Sequence, residues 1–95
     1  MFIGYEQAAA TNAAKTIAAF PNMPVNTTQV ELQADTQNVR YTMDGSIPTQ
    51  NVGMLLLVTE PPKLFGVEDF LRIRFIRGTG TDGVLNAHYL AGRDV

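Results

Sequence analysis

The sequence contains no cysteine and no tryptophan, and it has one histidine and one serine among its 95 residues. Without cysteine there can be neither a disulfide nor a thiolate metal site. Ser46 and His88 could formally join an aspartate in a Ser-His-Asp arrangement, but no surrounding motif supports one. We therefore expect no enzyme activity, no catalytic residue, no metal site and no cofactor, and we interpret His88 as a structural or surface residue.

Long apolar runs and a strong net charge are also missing. The longest apolar stretch, Val52–Val58, is interrupted by Gly53 and is far shorter than the ~20 residues of a membrane-spanning helix. The N-terminus has neither the basic start nor the continuous apolar segment of a secretory signal. The net charge is −2, whereas proteins that bind nucleic acid are usually basic. These absences predict no membrane partner, no nucleic-acid partner and synthesis in the cytoplasm.

The charge that is present is unevenly distributed. Residues 1–69 carry three cations and seven acids, whereas residues 70–95 carry four arginines, including Arg93, and two acids, including Asp94. Complementary charge of this kind suits contacts between neighbouring subunits. Chance clustering on a solvated surface explains it equally well.

Most of the chain shows the period-two alternation of β-strands. Apolar and polar residues alternate in Gln29–Ala34, Val39–Met43, Phe70–Arg77 and Val84–Leu90, which predicts strands with one buried face. The nearly continuous apolar run Val52–Val58 predicts a strand buried on both faces, either inside a sandwich or under a neighbouring subunit. Together these segments predict an all-β fold, a small antiparallel β-sandwich or barrel of about six to seven strands. Helix is expected only as a short piece in the first fifteen residues.

The first third of the chain differs, because residues 7–19 are rich in alanine and have no apolar stripe at helical spacing. We expect residues 1–14 to form an extended N-terminal arm, which leads into a strand near Lys15–Phe20. Residues 15–95 would then form a single β domain. The arm begins with three large apolar residues followed by small alanines, so it is suited to packing on a neighbouring subunit.

One motif is distinctive, Val39-Arg-Tyr-Thr-Met-Asp-Gly-Ser-Ile-Pro-Thr49. Asp44-Gly45 predicts a tight turn in which the glycine adopts positive φ. Pro48 would fix the exit from the turn, and Thr49 can bond to nearby backbone groups. A structural turn is the favoured interpretation, and a ligand contact by Asp44 or Thr49 is the alternative.

This motif, with the later segments VGMLLL, LRIRFIR and LNAHYL, resembles small bacteriophage virion proteins of the capsid decoration, or cement, type. A weaker resemblance is to chitobiase-type immunoglobulin-like accessory domains of secreted glycosidases. The resemblance spans roughly residues 28–90, and both families imply a β-sandwich without catalytic residues. The phage family is favoured because the chain starts at Met1 and has no expected secretion signal. It implies a protein made in the host cytoplasm that stabilises the head by binding the major capsid protein, as a homo-oligomer such as a trimer.

Three groups of residues are candidate partner contacts, one on the arm, one on the apolar strand and one on an arginine-bearing face: Phe2, Ile3 and Tyr5; Met54 and Leu56; Arg72 and Arg74. A minor tail component is an alternative to a head protein. A host-surface or carbohydrate-binding module is another, in which Tyr5, Phe65 or Tyr89 would line a groove. The small number of aromatic residues and the absence of tryptophan argue against that module.

Overall fold

The computed structural model describes residues 1–92, and these form two antiparallel four-stranded sheets. Sheet A has the strand order β1-β8-β3-β6, and sheet B has the order β2-β7-β4-β5. The strands are β1 (Phe2–Ala10), β2 (Lys15–Thr16), β3 (Thr27–Asp35), β4 (Val39–Thr42), β5 (Met54–Leu56), β6 (Lys63–Gly66), β7 (Arg74–Arg77) and β8 (Gly83–Ala91). The all-β antiparallel sandwich predicted from the sequence is therefore confirmed.

The core lies between the sheets and follows the alternation read from the sequence. Along β3 and β8 every second side chain is buried, and the residues between them are more accessible. Sheet B contributes an opposing layer that includes Val39, Tyr41 and Phe75. The fully buried residues that sheet A contributes to this core are Ala10, Val30, Leu32, Leu85, Ala87 and Tyr89.

The N-terminal segment is extended, as expected, but it is not an arm separate from the domain. Residues 2–10 form β1, which pairs with β8 from Phe2↔Leu90 to Ala10↔Gly83. Ala10 is fully buried. Alanines occupy both faces of this strand, so the sequence shows no apolar alternation that would reveal it. The expected strand at Lys15–Phe20 is reduced to β2, which is followed by a short 3-10 helix, Ile17–Ala19.

The chain by itself does not bury Val52–Val58 on both faces, contrary to the sandwich-interior alternative, whereas burial under a neighbouring subunit stays a prediction. Only residues 54–56 form a strand, β5, which pairs with β4 at the edge of sheet B. Val52 and Met54 are exposed, and Leu56 is buried in the core. Within residues 1–92, therefore, no other segment covers Val52 and Met54.

The expected strand Phe70–Arg77 begins as a helical turn. Helix α1 (Val67–Phe70) precedes β7, which starts at Arg74. Phe70 and Ile73 are buried three residues apart while Leu71 is exposed, as helical rather than alternating geometry requires. The expectation that helix would be confined to the first fifteen residues is therefore wrong.

Two further points concern membrane-spanning helices and the charged residues near the C-terminus. Within residues 1–92 no helix is long and apolar enough to cross a membrane. Arg93 and Asp94, which were part of the charge asymmetry noted above, lie outside the described residues.

Candidate functional site

The face of sheet A that points away from the core carries a cluster of aromatic and amide side chains. In β8, Leu85, Ala87 and Tyr89 point inward, so Asn86 and His88 point outward. The register pairs Tyr5 with His88 and Gln7 with Asn86, and it places Phe2 at the end of the same face. The outer-face cluster consists of Phe2, Tyr5, Gln7, Asn86 and His88.

The rings of this cluster are packed against one another yet remain accessible. The Phe2 and His88 rings are stacked, with centroids 3.8 Å apart and an interplanar angle of 13°. Tyr5 meets His88 edge-on, with centroids 6.1 Å apart and an angle of 84°. Phe2 is still 49% exposed and Tyr5 55% exposed. Half-open aromatic rings in fixed positions are typical anchors of binding surfaces.

Three hydrogen bonds hold the polar part of the cluster. The Tyr5 hydroxyl donates to Asn86 Oδ1 at 2.8 Å. Gln7 Nε2 donates to Asn86 Oδ1 at 3.1 Å and to the Tyr5 hydroxyl oxygen at 3.2 Å. Because these bonds already restrict the side chains, less conformational entropy remains to be lost when a partner binds.

Beneath the cluster, a buried contact ties β1 to the core. The Tyr89 hydroxyl donates to Glu6 Oε1 at 2.5 Å, and the Asn22 backbone N–H donates to Glu6 Oε2 at 3.1 Å. Burial, and secondly the hydrogen bond to Glu6, raises the pKa of Tyr89 above its usual range. Glu6 is the only charged side chain of β1, so the outer-face cluster has no carboxylate from this strand.

The predicted contact residues of the N-terminus and of the apolar strand differ in their exposure. Phe2 and Tyr5 lie at the surface, whereas Ile3 is partly buried against the core. Leu56 is only 1% exposed, so the structure contradicts its assignment as a partner contact. Met54 is 63% exposed and lines a shallow, open groove of about 280 Å³.

Arg72 and Arg74 do not share a strand face, contrary to the sequence prediction. Arg72 follows α1, where its backbone N–H donates to the Asp69 carbonyl at 3.1 Å. Arg74 is the first residue of β7 and pairs with Thr42. Neither arginine makes an ion pair within residues 1–92. Arg72 therefore lies in the turn between α1 and β7, and only Arg74 lies on the strand.

The distinctive motif is a turn held by its own side chains. Gly45 has φ +89°, as predicted. Asp44 Oδ1 accepts hydrogen bonds from the Ser46 hydroxyl and from the Ser46 backbone N–H at 3.0 Å. These bonds hold the pKa of Asp44 below its ordinary value.

The segment that follows the turn is also fixed by burial and hydrogen bonds. Pro48 is buried, and Thr49 and Val52 exchange two backbone hydrogen bonds. Arg40 donates to the Gln50 carbonyl at 2.8 Å and to the Gly53 carbonyl at 3.0 Å. Since the polar groups of Asp44, Thr49 and Arg40 are engaged within the turn, the structural interpretation accounts for the motif.

The remaining candidates from the sequence are not brought together. Ser46 lies in the turn that follows β4 of sheet B, whereas His88 is on the outer face of sheet A, so the core separates them. Of the three aromatic residues proposed for a sugar groove, Tyr89 is fully buried and Phe65 is partly buried against Tyr41. Only Tyr5 is exposed. No group of three histidine, aspartate or glutamate side chains within residues 1–92 is close enough to hold a metal ion.

Comparison with known proteins adds no assignment. No protein-family model matches the chain, and no curated protein or solved structure is a significant match for it. The resemblance of roughly residues 28–90 to phage virion proteins therefore stays a prediction. What sequence reasoning missed is the joint position of Gln7, Asn86 and His88 beside Tyr5, which depends on the pairing of the first strand with the last.

Proposed function

We propose that this chain is a structural protein of a phage virion, a decoration protein that binds the outside of the assembled head through the outer-face cluster. One observation carries the proposal: two half-exposed aromatic rings, those of Phe2 and Tyr5, are held in place on an open sheet face. The partner would be the major capsid protein, with no catalytic step, cofactor, nucleic acid or membrane involved.

The physical basis is the pattern shared by protein-binding surfaces. Aromatic side chains contribute a large contact area with few rotatable bonds, and neighbouring amides supply hydrogen bonds at the rim. A protein that binds the assembled shell but not its free subunits shifts the equilibrium towards assembly. A small β-sandwich with a preorganised outer face is suited to this role, because the domain need not change shape when it binds.

The copy number of the chain in purified phage particles tests this proposal. Quantitative mass spectrometry of particles is expected to find hundreds of copies, since a decoration protein follows the repeated symmetry of the shell. Absence from the particle would contradict the proposal. About a dozen copies or fewer would contradict decoration of the head and favour a minor tail component, because such parts occur as single rings.

A carbohydrate-binding role is the second candidate, and a specific observation favours it. The exposed Tyr5 ring lies beside the amides of Gln7 and Asn86, and aromatic faces combined with amide groups can pack against and hydrogen-bond a sugar. A glycan-binding measurement on wild type and Tyr5→Ala separates the two roles. Saturable binding that Tyr5→Ala abolishes supports the sugar role, and no binding to any glycan removes it.

A further inference from the structure

We propose that two copies of this chain pair through the free edges of their β1 strands. The strands run antiparallel about a two-fold axis at Gln7, and the two copies of sheet A become one eight-stranded sheet. The inference is independent of the proposed function, because it uses the backbone edge of β1 rather than the outer face.

The two sheets have four edge strands, and three of them are poorly suited to pairing. β2 has two residues and β5 has three. β6 has four residues, begins with Lys63 and directly follows Pro61-Pro62. Short length, lysine and proline are the features that keep edge strands from pairing with other chains. β1 has nine residues and contains no lysine, arginine or proline.

The single charge of β1, that of Glu6, is already hydrogen-bonded within its own domain. Glu6 points to the core side, where it accepts hydrogen bonds from Tyr89 and from the Asn22 backbone. The chain near Pro24 passes beneath the strand, since a Cβ on Gly4 would lie 3.2 Å from the Pro24 ring. Within residues 1–92 β8 is the only strand that pairs with β1. Alternate backbone N–H and C=O groups of β1 therefore point away from the sheet.

Geometry restricts how β1 can pair with a second copy of itself. Paired residues of neighbouring strands point their side chains to the same face. Outer-face residues must therefore pair with outer-face residues, and the two-fold axis has to pass through a residue rather than between two residues. An axis at Tyr5 would carry the irregularity between Phe2 and Gly4 into the new ladder.

The other axis positions are distinguished by charge and length. An axis at Glu6 would place the two Glu6 side chains opposite each other, and like charges in that position are destabilising. An axis at Ala8 would leave only residues 6–10 paired. An axis at Gln7 pairs residues 4–10 with residues 4–10 of the partner, which is the longest ladder that avoids both the irregularity and the opposed carboxylates.

The Gln7 register also makes β1 complementary to itself, which is why a second copy is the occupant we infer. Tyr5 lies opposite the partner's Ala9, and Glu6 lies opposite the partner's Ala8. Large side chains thus meet small ones, and no charge meets a like charge. The two outer-face clusters come to lie on the same side of the joined sheet, one on each side of the axis.

Cysteine cross-linking tests the register, and the natural chain has no cysteine to interfere. Gln7 and the partner's Gln7 would have Cβ atoms about 4.5–5.5 Å apart, near the distance that a disulfide spans. At Tyr5 or Ala9 the equivalent residues of the two copies would be about 13 Å apart, four residues along the strand. Under mild oxidation, Gln7→Cys is expected to form a disulfide-linked dimer, whereas Tyr5→Cys and Ala9→Cys are not.

A charge variant tests for the dimer without covalent cross-linking. Gln7→Lys would place two ammonium groups at the axis and is expected to give a monomer by light scattering, while wild type is a dimer. Gln33→Lys is the matched control, since Gln33 flanks Asn86 on the other side of β8; it is expected to remain dimeric. The inference is overturned if wild type is monomeric, if Gln7→Lys stays dimeric, or if all three cysteine variants cross-link equally.

Discussion

The contact between Tyr89 and Glu6 is expected to be a principal tie of β1 to the domain, and Tyr89→Phe removes it with little change in volume. The substitution deletes the hydroxyl that donates to Glu6 Oε1, whereas Glu6 Oε2 keeps the Asn22 N–H. A hydrogen bond to a charged group contributes about 1.5–3 kcal/mol. Glu6 is half-buried, so water can partly replace the lost donor, and we expect a loss of about 1–2 kcal/mol of unfolding free energy.

Tyr41→Phe is the matched control for this experiment. Tyr41 is also buried in the core, but its hydroxyl makes no hydrogen bond to another residue within the described chain. Urea denaturation followed by circular dichroism compares the two variants with wild type. Equal urea midpoints for Tyr89→Phe and Tyr41→Phe would refute the expected contribution of the Tyr89–Glu6 hydrogen bond.

Alkaline pH gives a second, independent signature of the same contact. The pKa of Tyr89 is raised in the folded state, so above the unfolded value near 10 the unfolded chain loses a proton that the folded chain keeps. The contribution of Tyr89 to the unfolding free energy is therefore constant below about pH 10 and falls by up to about 1.4 kcal/mol per pH unit above it. Tyr89→Phe should lack this additional slope, which is measured as the difference between the two denaturation series.

Three further predictions concern the N-terminal strand and the turn. Deleting residues 1–10 should prevent folding, because it removes the whole β1–β8 ladder; a cooperative unfolding transition in the truncated chain would contradict this. Gly45→Val should lower the unfolding free energy by about 1–2 kcal/mol, because φ is +89° at this position. Gly66→Val is the control, at a site that is also open but has negative φ, and its urea midpoint should stay close to that of wild type. Asp44→Asn should reduce the loss of stability on acidification below about pH 4, because the pKa of Asp44 is lowered in the folded state and its contribution disappears as the pH falls through that lowered value. Parallel acid titrations of the two proteins would contradict it.

Strands with large residues on one face could be predicted from the sequence. In β3, β4 and β8 most buried positions carry valine, leucine, tyrosine or alanine, and most of the positions between them carry polar groups. The turn at Asp44-Gly45 could also be predicted, because few residues other than glycine tolerate positive φ. These features depend on residues close together in the chain.

The missed elements have weak or ambiguous local signals. The three-residue spacing of Phe70 and Ile73 fits a helical turn, whereas the two-residue spacing of Ile73 and Phe75 fits a strand. The two acidic residues before Phe70 were the available sign that a helix starts there. β6 has only four residues after two prolines, so no alternation could develop. In Val52–Val58 the apolar residues Val52 and Met54 are exposed although Leu56 is buried, because the place of a strand in the sheet is decided by topology and not by composition.

The outer-face cluster could not be predicted because its members lie far apart in sequence. Tyr5 and Asn86 are 81 residues apart and meet only because β1 pairs with β8. Before that pairing is known, Gln7 and Asn86 read as ordinary polar surface residues. Phe2 and Tyr5 were predicted as contacts from their size alone; the structure leaves both exposed, but in a strand of sheet A rather than in a separate arm.

The most direct test of the proposed function is co-sedimentation of the purified protein with phage heads that lack it, comparing Tyr5→Ser with Met54→Ser. Both residues are exposed, at 55% and 63%, on different sheets, and circular dichroism verifies that each variant is folded. We expect wild type and Met54→Ser to bind saturably with the same affinity and Tyr5→Ser to lose binding. Binding that survives Tyr5→Ser, or that is lost in Met54→Ser alone, would contradict the assignment of the outer-face cluster as the capsid-binding surface.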